Sequence, residues 1–352
     1  MKERKELANL LKVINFDYPE WIPASFGLMA ATWLRYREDM ETIVLSHPAL
    51  FPHYKKGDFK KMRLEKAYRK GRWIDVWRVT WENIKEGLDS APVDALAPLR
   101  NWDALEEYEV PDPLKYDRYG EEIDWGERKK KIQEAKAKGD LAIAMLVHGA
   151  MYMQLYYLRG FAGFMIDIAT KDPRLDVLIS IVLDYNLKLI EKWIELGVEI
   201  LNFGDDLGFQ KSLPISPTDW RRYIKPCFAQ MFDKCAERNV YVYLHTDGYI
   251  LDIIPDLIEC GVDILNPQVR PNTLKGLEKH CKGKVAIELD LDRQLFPFAT
   301  KRQLRDHVKE AIDTLVLPEG GLMLHVEFGP DVPLENIETI CETLERLGCR
   351  GV

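Results

Sequence analysis

The sequence predicts an α/β fold in which eight parallel strands, each followed by a helix, form a (β/α)₈ TIM barrel. From residue 140 onward, short aliphatic or β-branched runs end in Gly, Asp or His and alternate with longer helical patterns. Each run is almost continuously apolar, which is typical of parallel strands buried on both faces. The six runs are 141–149, 198–208, 240–248, 262–268, 285–292 and 322–329.

Helical patterns fill the intervals between these runs. Residues 176–197 carry apolar residues at three- and four-residue spacing and end at Gly197, which predicts a C-terminal cap. Residues 216–239 begin with Ser216 as N-cap and Pro217 at the first helical position. Strand, helix and strand at this spacing indicate right-handed βαβ units of a barrel or a doubly wound sheet. No GxGxxG motif follows the first strand, so a dinucleotide-binding fold has no support.

The first 140 residues are less regular, but they supply the two strands that a barrel of eight still needs. Residues 21–27 predict a strand followed by a helix over 31–45, and residues 73–81 predict the second strand. The stretch 89–126 is rich in Pro, Asp and Tyr and predicts a long loop excursion, a feature that is usually functional. We interpret the whole chain, 1–352, as a single barrel domain, since such barrels often exceed ~250 residues.

Composition excludes several classes of protein. The chain is 47% hydrophobic and 30% charged, as soluble enzymes are, and its net charge of −8 argues against nucleic-acid binding. No run reaches the ~18 apolar residues of a membrane span, and the N-terminal residues lack the apolar core of a signal peptide. The six cysteines form no CxxC pair, so we expect reduced thiols in a cytoplasmic protein.

Carboxylates and histidines follow the predicted strands at the ends where a barrel places its active site. Burying so many carboxylates is costly without a partner, and a cation would remove that cost. The alternative is that loop amides and arginines, such as Arg270 or Arg293, satisfy them. The candidates are Asp205, Asp206, His245, Asp247, Glu288, Asp290 and Glu327, with His325 two residues before the last of these.

Aromatic residues near the ends of the first three predicted strands are candidates for substrate binding. They could form a wall for an aryl ether or, through cation–π contact, for a methylated amine, and core or lid packing is the alternative. His148 follows the third strand and is also a candidate to line the mouth of the barrel. A structural role is the alternative for this residue. The aromatic candidates are Trp33, Trp77, Trp81 and Tyr152.

Five segments, in order over almost the whole chain, resemble the uroporphyrinogen-decarboxylase superfamily. The resemblance implies a barrel of the uroporphyrinogen-decarboxylase type with its site at the strand C-termini. It also implies one of two activities, which are cofactor-free decarboxylation and methyl transfer with a corrinoid protein, commonly with zinc. The segments are YLRGFAGFMIDIATKDP (157–173), DYNLKLIEKWIELGVEILNFGDDLG (184–208), SPTDWRRYIKPCFAQMFDKC (216–235), LHTDGYILDIIPDLIECGVDILNPQ (244–268) and GPDVPLENI (329–337).

The residues after the first strand favour the methyltransferase branch. Decarboxylases of the superfamily carry an arginine-rich signature there, of the form MRQAGRY, which holds substrate carboxylates. In this chain Met29 is followed by Ala30, Ala31 and Thr32. A tetrapyrrole polycarboxylate calls for bidentate guanidinium partners, and their absence from this stretch counts against decarboxylation.

Zinc methyltransferases of the superfamily carry H-x-C after the fifth strand and a distant cysteine after the last. Here the first motif reads His245-Thr246-Asp247, and the last strand ends with Glu327-Phe328. The resemblance therefore implies zinc ligands His245, Asp247 and Glu327, with carboxylates in place of thiolates. Such a site is harder and more Lewis-acidic, which suits an oxygen- or nitrogen-linked methyl donor.

The predicted function is methyl transfer between a small methylated substrate, of the methyl ether (O-demethylase) or methylamine type, and a corrinoid protein that carries the cobalamin. Asp206, His245 and Glu288 are the predicted catalytic residues. A decarboxylase of the uroporphyrinogen type and a non-catalytic ligand-binding barrel are the alternatives, and the acid-lined mouth argues against the second. The basic run 55–72 predicts a solvated helix face or a docking surface for an acidic corrinoid protein. No nucleic-acid or membrane partner is expected, and a homodimer is compatible with the sequence.

Overall fold

The structure is a computed structural model that describes residues 5–351 as an α/β fold. Its strands are β1 (Ile22–Leu28), β2 (Gly71–Ile74), β3 (Thr80–Asn83), β4 (Ala91–Pro92), β5 (Ile143–Met145), β6 (Ile200–Gly204), β7 (Tyr241–Thr246), β8 (Ile264–Pro267), β9 (Ala286–Asp290), β10 (Leu322–Phe328) and β11 (Cys349–Gly351). Its helices are α1 (Lys5–Ile14), α2 (Ala30–Ser46), α3 (Trp125–Lys138), α4 (Tyr152–Arg159), α5 (Phe161–Thr170), α6 (Pro173–Leu196), α7 (Pro217–Tyr223), α8 (Lys225–Ala236), α9 (Ile254–Glu259), α10 (Val269–Asn272), α11 (Leu274–His280), α12 (Lys301–Leu315) and α13 (Leu334–Arg346).

The chain divides into two compact units. Unit 1 comprises Met1–Lys70, Ile84–Asp89 and Ile264–Val352, and unit 2 comprises Gly71–Asn83 and Ser90–Asp263. Counted within residues 5–351, eight strands pair in parallel with a neighbour of their own unit, five of them in unit 1 and three in unit 2.

Unit 1 is built on the parallel order β11-β1-β10-β9-β8. Ser25 lies opposite His325 and Gly27 lies opposite Glu327, so the first strand is the neighbour of the last long strand, as the sequence predicts. Every residue of β8 and β9 is buried, including the polar residues Asn266, Glu288 and Asp290. Helices α12 and α13 pack against one another.

Unit 2 contains two sheets. The parallel order β7-β6-β5 places Gly204 opposite His245, and helices α6 and α8 pack against one another. A separate antiparallel sheet has the order β2-β3-β4. The stretch 89–126, predicted to be a long loop, holds only the short strand β4, two 3₁₀ turns and the first residues of α3.

The prediction of a parallel strand at residues 73–81 is wrong. Trp73 lies opposite Trp81 in an antiparallel hairpin. The carboxylate of Asp75 accepts hydrogen bonds from the backbone N–H of Val79, at 2.9 Å, and from Nε1 of Trp81, at 2.8 Å. An aspartate that satisfies donors across a turn favours a hairpin over an extended strand. The eighth parallel strand is instead β11, which pairs with β1.

Helix ends follow the predicted caps, with one difference. Helix α6 ends at Gly197, whose φ of 87° is the left-handed conformation expected of a C-terminal cap. The hydroxyl of Ser216 accepts the backbone N–H of Asp219, as an N-cap does. The predicted helix 216–239 is divided into α7 and α8 around Ile224, because Pro226 lacks the N–H that a continuous helix needs.

Two further findings concern the cysteines and the helices. All six cysteines are free and buried, and burial raises the pKa of Cys227 and Cys235 to about 12. Buried thiols of this kind are inert packing groups. Residues 5–351 include no helix with the length and apolar character that crossing a membrane requires.

Candidate active site

Three side chains of unit 2 that could hold a metal ion converge at the carboxyl ends of its parallel strands. His148 comes shortly after β5, Asp206 shortly after β6, and His245 lies in β7. One ligand atom from each lies within 4.8 Å of the other two. Their side chains keep 43%, 30% and 29% of their surface open, so an ion or substrate can reach them. We call these three residues the histidine–aspartate cluster.

Asp247 borders this cluster. Its Oδ1 lies 3.4 Å from Nε2 of His245, and Nε2 of His148 lies 3.3 Å from Oδ1 of Asp206. The backbone N–H of Asp247 also donates to Oδ1 of Asp206, at 3.2 Å. The loops after β6 and β7 are therefore tied together at the cluster.

Asp205 holds the loop that carries His148. Its buried carboxylate accepts the backbone N–H groups of Met151, Tyr152 and Met153 at 3.1, 2.6 and 2.9 Å, at the start of α4. Burial raises the pKa of Asp205 to about 7, although the hydrogen bonds from Met153 and Tyr152 oppose that rise. We infer that Asp205 positions His148, because it joins β6 to the segment that follows His148.

Charges within the cluster stabilise one another. Burial alone would lower the pKa of His148, but the hydrogen bond and negative charge of Asp206 raise it above the usual value. Burial alone would raise the pKa of Asp206, but the hydrogen bond and charge of His148, with the charge of His245, lower it. The cluster therefore favours an ionised Asp206, which is the form that binds a metal, and a protonated His148, which must lose its proton before it binds one.

Glycines allow the close approaches on which this geometry depends. A Cβ atom at Gly204 would lie 2.5 Å from Nδ1 of His148. Gly208 and Gly248 lie where the loops after β6 and β7 meet, and a Cβ atom at Gly248 would lie 2.0 Å from the carbonyl oxygen of Gly208. The neighbour of Gly248 is backbone, which excludes a side chain there, whereas a side chain at Gly204 would have to displace the His148 ring.

A pocket of unit 2 adjoins the cluster, because His148 lines both. Trp77 and Trp81, both predicted to bind substrate, line this pocket. Trp77 packs against Tyr185 with ring centroids 4.5 Å apart, and Trp81 packs against Tyr157 at 4.9 Å. The pocket also receives the polar side chains of Asp75, Arg118 and Gln154.

Comparison with known proteins agrees with this architecture. A family model described as uroporphyrinogen decarboxylase (URO-D) matches residues 87–347, which is most of the chain. The chain belongs to the URO-D family. Its membership confirms the relationship that the sequence segments indicate.

Solved structures are similar to this URO-D protein at low sequence identity. A methyltransferase from Methanosarcina mazei is similar at a TM-score of 0.57 and 15% identity, with 96% of this chain and 97% of that chain covered. A sugar phosphate isomerase/epimerase from Parabacteroides distasonis has a TM-score of 0.34 and 14% identity, covering 66% and 78%. A dihydropteroate synthase from Xanthomonas albilineans has a TM-score of 0.31 and 16% identity, covering 47% and 59%. No curated protein matches this chain in sequence.

Unit 1 of the URO-D protein holds a different group of the predicted site residues. The carboxylate of Glu327, a predicted metal ligand, forms an ion pair with Arg293. Nδ1 of His325 lies 2.7 Å from the hydroxyl of Ser25, and Glu288 is buried in β9. The arginine partner of Glu327 is one that the sequence offers as the alternative to a metal.

Two predicted substrate-binding residues pack against other aromatic side chains. Trp33, in unit 1, stacks on Tyr54 and Phe59 with ring centroids 5.8 and 5.5 Å apart. Tyr152 is buried beside Phe164, and its backbone N–H serves Asp205. Core packing, the alternative interpretation of these rings, describes their surroundings.

Sequence reasoning missed several residues of the pocket. Arg118 and Gln154 lie outside the predicted strands, and Tyr157 and Tyr185 lie within helical patterns where aromatic residues usually indicate core. One feature of the sequence could have indicated this region. Asp75 lies between tryptophans in WIDVWRVTW, and an aspartate in that position is unusual for a buried parallel strand.

Proposed function

We propose that this URO-D protein is a methyltransferase that moves a methyl group between a small methylated substrate, of the methyl ether or methylamine type, and a corrinoid protein. The observation that carries the proposal is the histidine–aspartate cluster beside a pocket walled by Trp77 and Trp81. Membership of the family does not choose among its activities, so the chemistry of the site must do so.

The donor set of the cluster fits zinc. Two imidazole nitrogens and a carboxylate oxygen are zinc ligands, and three protein ligands leave a fourth position for a substrate atom. We propose that His148, Asp206 and His245 hold the ion, with Asp247 beside it. The set inferred from family resemblance also includes Glu327, but the ion pair between Glu327 and Arg293 favours the cluster. When bound, zinc supplies Lewis acidity at the substrate heteroatom.

The residues of this chain prepare the substrate for transfer. The aromatic wall excludes water from the methyl group, and Asp205 keeps the His148 loop in place. In the reaction, the bond between the methyl carbon and the heteroatom breaks and its electron pair stays on the heteroatom, which takes up a proton. The methyl carbon accepts a new pair from the cobalt(I) corrinoid of the partner protein, which is a substrate here.

We further propose that the eight parallel strands close into one (β/α)₈ barrel. Membership of the URO-D family and the number of parallel strands support this arrangement. In such a barrel the carboxyl ends of the strands share one mouth, which is where active sites of this architecture lie.

A reconstituted assay tests the proposed function. The chain is mixed with a cobalt(I) corrinoid protein and a panel of methyl ethers and methylamines, and the visible spectrum of the corrinoid reports methylation. We expect methylation only when chain, donor and corrinoid protein are all present. Conversion of uroporphyrinogen to coproporphyrinogen without any corrinoid would instead establish the decarboxylase alternative.

A further inference from the structure

Positive charge is concentrated in one segment of this otherwise acidic protein. Residues 55–70, which we call the basic segment, carry eight lysines and arginines against two acidic residues, whereas the whole chain has a net charge of −8. All eight basic residues are exposed. The segment is not the helix face that the sequence offers as one interpretation, because it holds two 3₁₀ turns, Asp58–Lys61 and Lys66–Tyr68.

Three of these charges have no partner of opposite charge. Within residues 5–351, Lys55, Lys56 and Arg63 form no ion pair. The exposed lysines of α3 differ, because Lys131 pairs with Glu127 of the same helix at 2.8 Å. Unpaired cations in one segment repel one another, and an anion from outside the protein would relieve that repulsion.

The basic segment is held in a defined conformation against α2. The buried carboxylate of Glu41 accepts a hydrogen bond from the hydroxyl of Tyr54, at 3.0 Å, and another from the backbone N–H of Gly57. Trp33 stacks on Tyr54 and on Phe59, which anchors the start of the segment on the same helix. A surface that is already ordered loses little conformational entropy when it binds a partner.

The end of the basic segment lies near the carboxyl end of β1. The backbone N–H of Gly87 donates to the carbonyl oxygen of Tyr68, at 2.8 Å, and the carbonyl oxygen of Gly87 accepts the N–H of Ala31, at 3.2 Å. Ala31 lies in the first turn of α2, which follows β1 directly. Barrels of this class place their active sites at the carboxyl ends of the strands, so a partner bound here lies on the functional side of unit 1.

An open cavity of about 440 Å³ adjoins the basic segment, because Asp58 belongs to the segment and lines the cavity. Its apolar walls include Leu50, Phe51 and Phe26, and the rings of Phe26 and Phe51 lie 4.5 Å apart. An apolar cavity of this size can receive a large side chain of another protein, and such anchors dominate the energy of protein interfaces. The combination fits an acidic protein surface better than a nucleic acid, whose footprint is a basic face larger than one segment.

We propose that the basic segment docks an acidic face of the corrinoid protein, with Lys55, Lys56 and Arg63 opposite its carboxylates and an apolar side chain seated in the cavity. The inference rests on the proposed function, to which it adds the surface that recognises the methyl acceptor. Opposite charges across an interface mainly raise the rate of association. The surface therefore affects the KM for the corrinoid protein rather than the transfer step.

Two methyl acceptors separate docking from chemistry. An acidic corrinoid protein can use the surface, whereas free cob(I)alamin has no protein face to dock. The variant combines Lys55→Glu, Lys56→Glu and Arg63→Glu. Its KM for the corrinoid protein should rise by at least about tenfold at low salt. The rise should shrink at about 1 M salt, where charges are screened within ~3 Å, and kcat/KM for free cob(I)alamin should equal that of the wild type.

The matched control combines Lys129→Glu, Lys130→Glu and Lys131→Glu, which changes the net charge by the same amount at exposed positions of α3. It should keep the wild-type KM, and equal increases in both variants would overturn the inference in favour of an effect of net charge. A random-sequence DNA duplex that binds more tightly than the corrinoid protein, and is released by the first variant, would assign the segment to a nucleic acid and also overturn it.

The two proposals fail in distinguishable ways. Methylation of both acceptors with the same KM values in the first variant and the wild type would keep the proposed function and overturn the docking surface. Methylation of neither acceptor would overturn the proposed function, and sedimentation of the chain with the corrinoid protein would then decide docking. A complex that the first variant loses and the control keeps would support the surface, and the absence of any complex would overturn it.

Discussion

The histidines and carboxylates at the strand ends have different partners in the two units of this protein. In unit 2, Asp206 has His148 as a partner and Asp247 has His245. In unit 1, Glu327 has a guanidinium as its partner, and His325 bonds to a hydroxyl. An imidazole gives up its proton to a metal at neutral pH, whereas an arginine stays charged. The same residue types at strand ends therefore suit metal binding in one unit and ion pairing in the other.

The largest expected effect concerns the zinc that we propose for unit 2. His245→Ala should remove zinc and lower kcat on the order of a thousandfold, because losing the Lewis acid removes about 4 kcal/mol of transition-state stabilisation. Elemental analysis and the corrinoid assay measure both quantities, and circular dichroism should be unchanged. Glu327→Gln is the counterpart in unit 1 and should keep the zinc. If Glu327→Gln loses zinc while His148→Ala retains it, the comparison between the units is reversed.

A smaller effect is expected from crowding the cluster without deleting a ligand. Gly204→Ala places a Cβ atom 2.5 Å from Nδ1 of His148 and must displace that ring. We expect zinc affinity to fall about tenfold, as it does when ligand orientation is disturbed. Competition with a chromogenic chelator measures the change. The corresponding substitution in unit 1 is Gly27→Ala, whose Cβ would lie 3.1 Å from Cγ of Glu327. It should leave zinc affinity intact, and equal losses would argue against the cluster as the site.

Asp75 differs from the carboxylates of the cluster and from Glu327, because burial rather than a neighbouring cation has the largest effect on its pKa. That pKa is raised from 3.8 to about 6. The folded protein therefore holds a proton that the unfolded chain releases, and the contribution of Asp75 to stability rises as the pH falls from about 6 to about 4. Over this pH range, the contribution of Asp75 to the free energy of unfolding changes by about 3 kcal/mol. Asp75→Asn should remove this dependence, which urea unfolding of both proteins from pH 4 to 7 measures. Parallel pH profiles would show that Asp75 is not perturbed.

The smallest effect is expected in unit 1. Arg293→Gln removes the partner of Glu327, and both side chains are partly exposed, at 34% and 22%. The free energy of unfolding should fall by about 1 kcal/mol, as for other solvent-screened ion pairs. Urea denaturation at low and high salt measures it, and the difference from wild type should shrink at high salt. A loss of zinc in this variant would show that the ion pair affects metal binding, which would contradict the difference that we infer between the units.

Local patterns were sufficient to predict much of the fold from sequence. Apolar runs marked β5 to β10, and Gly197 and Ser216 marked helix ends, because burial on both faces and helix capping depend on neighbouring residues. The hairpin at 71–83 and the three-residue strand β11 escaped prediction. The hairpin depends on hydrogen bonds to the side chain of Asp75, and β11 forms because it pairs with β1. Both elements therefore depend on tertiary contacts rather than on local composition.

The sequence by itself determined the family, the parallel α/β plan and the candidate residues at strand ends. Only the tertiary structure decided which of those residues act together. It paired Asp206 with His148 and Glu327 with Arg293, and it placed Gln154 and Arg118 in the pocket beside Trp81. The reason is that charge neutralisation and donor pairing are short-range interactions between residues distant in the chain. No periodicity or motif encodes the distance between them.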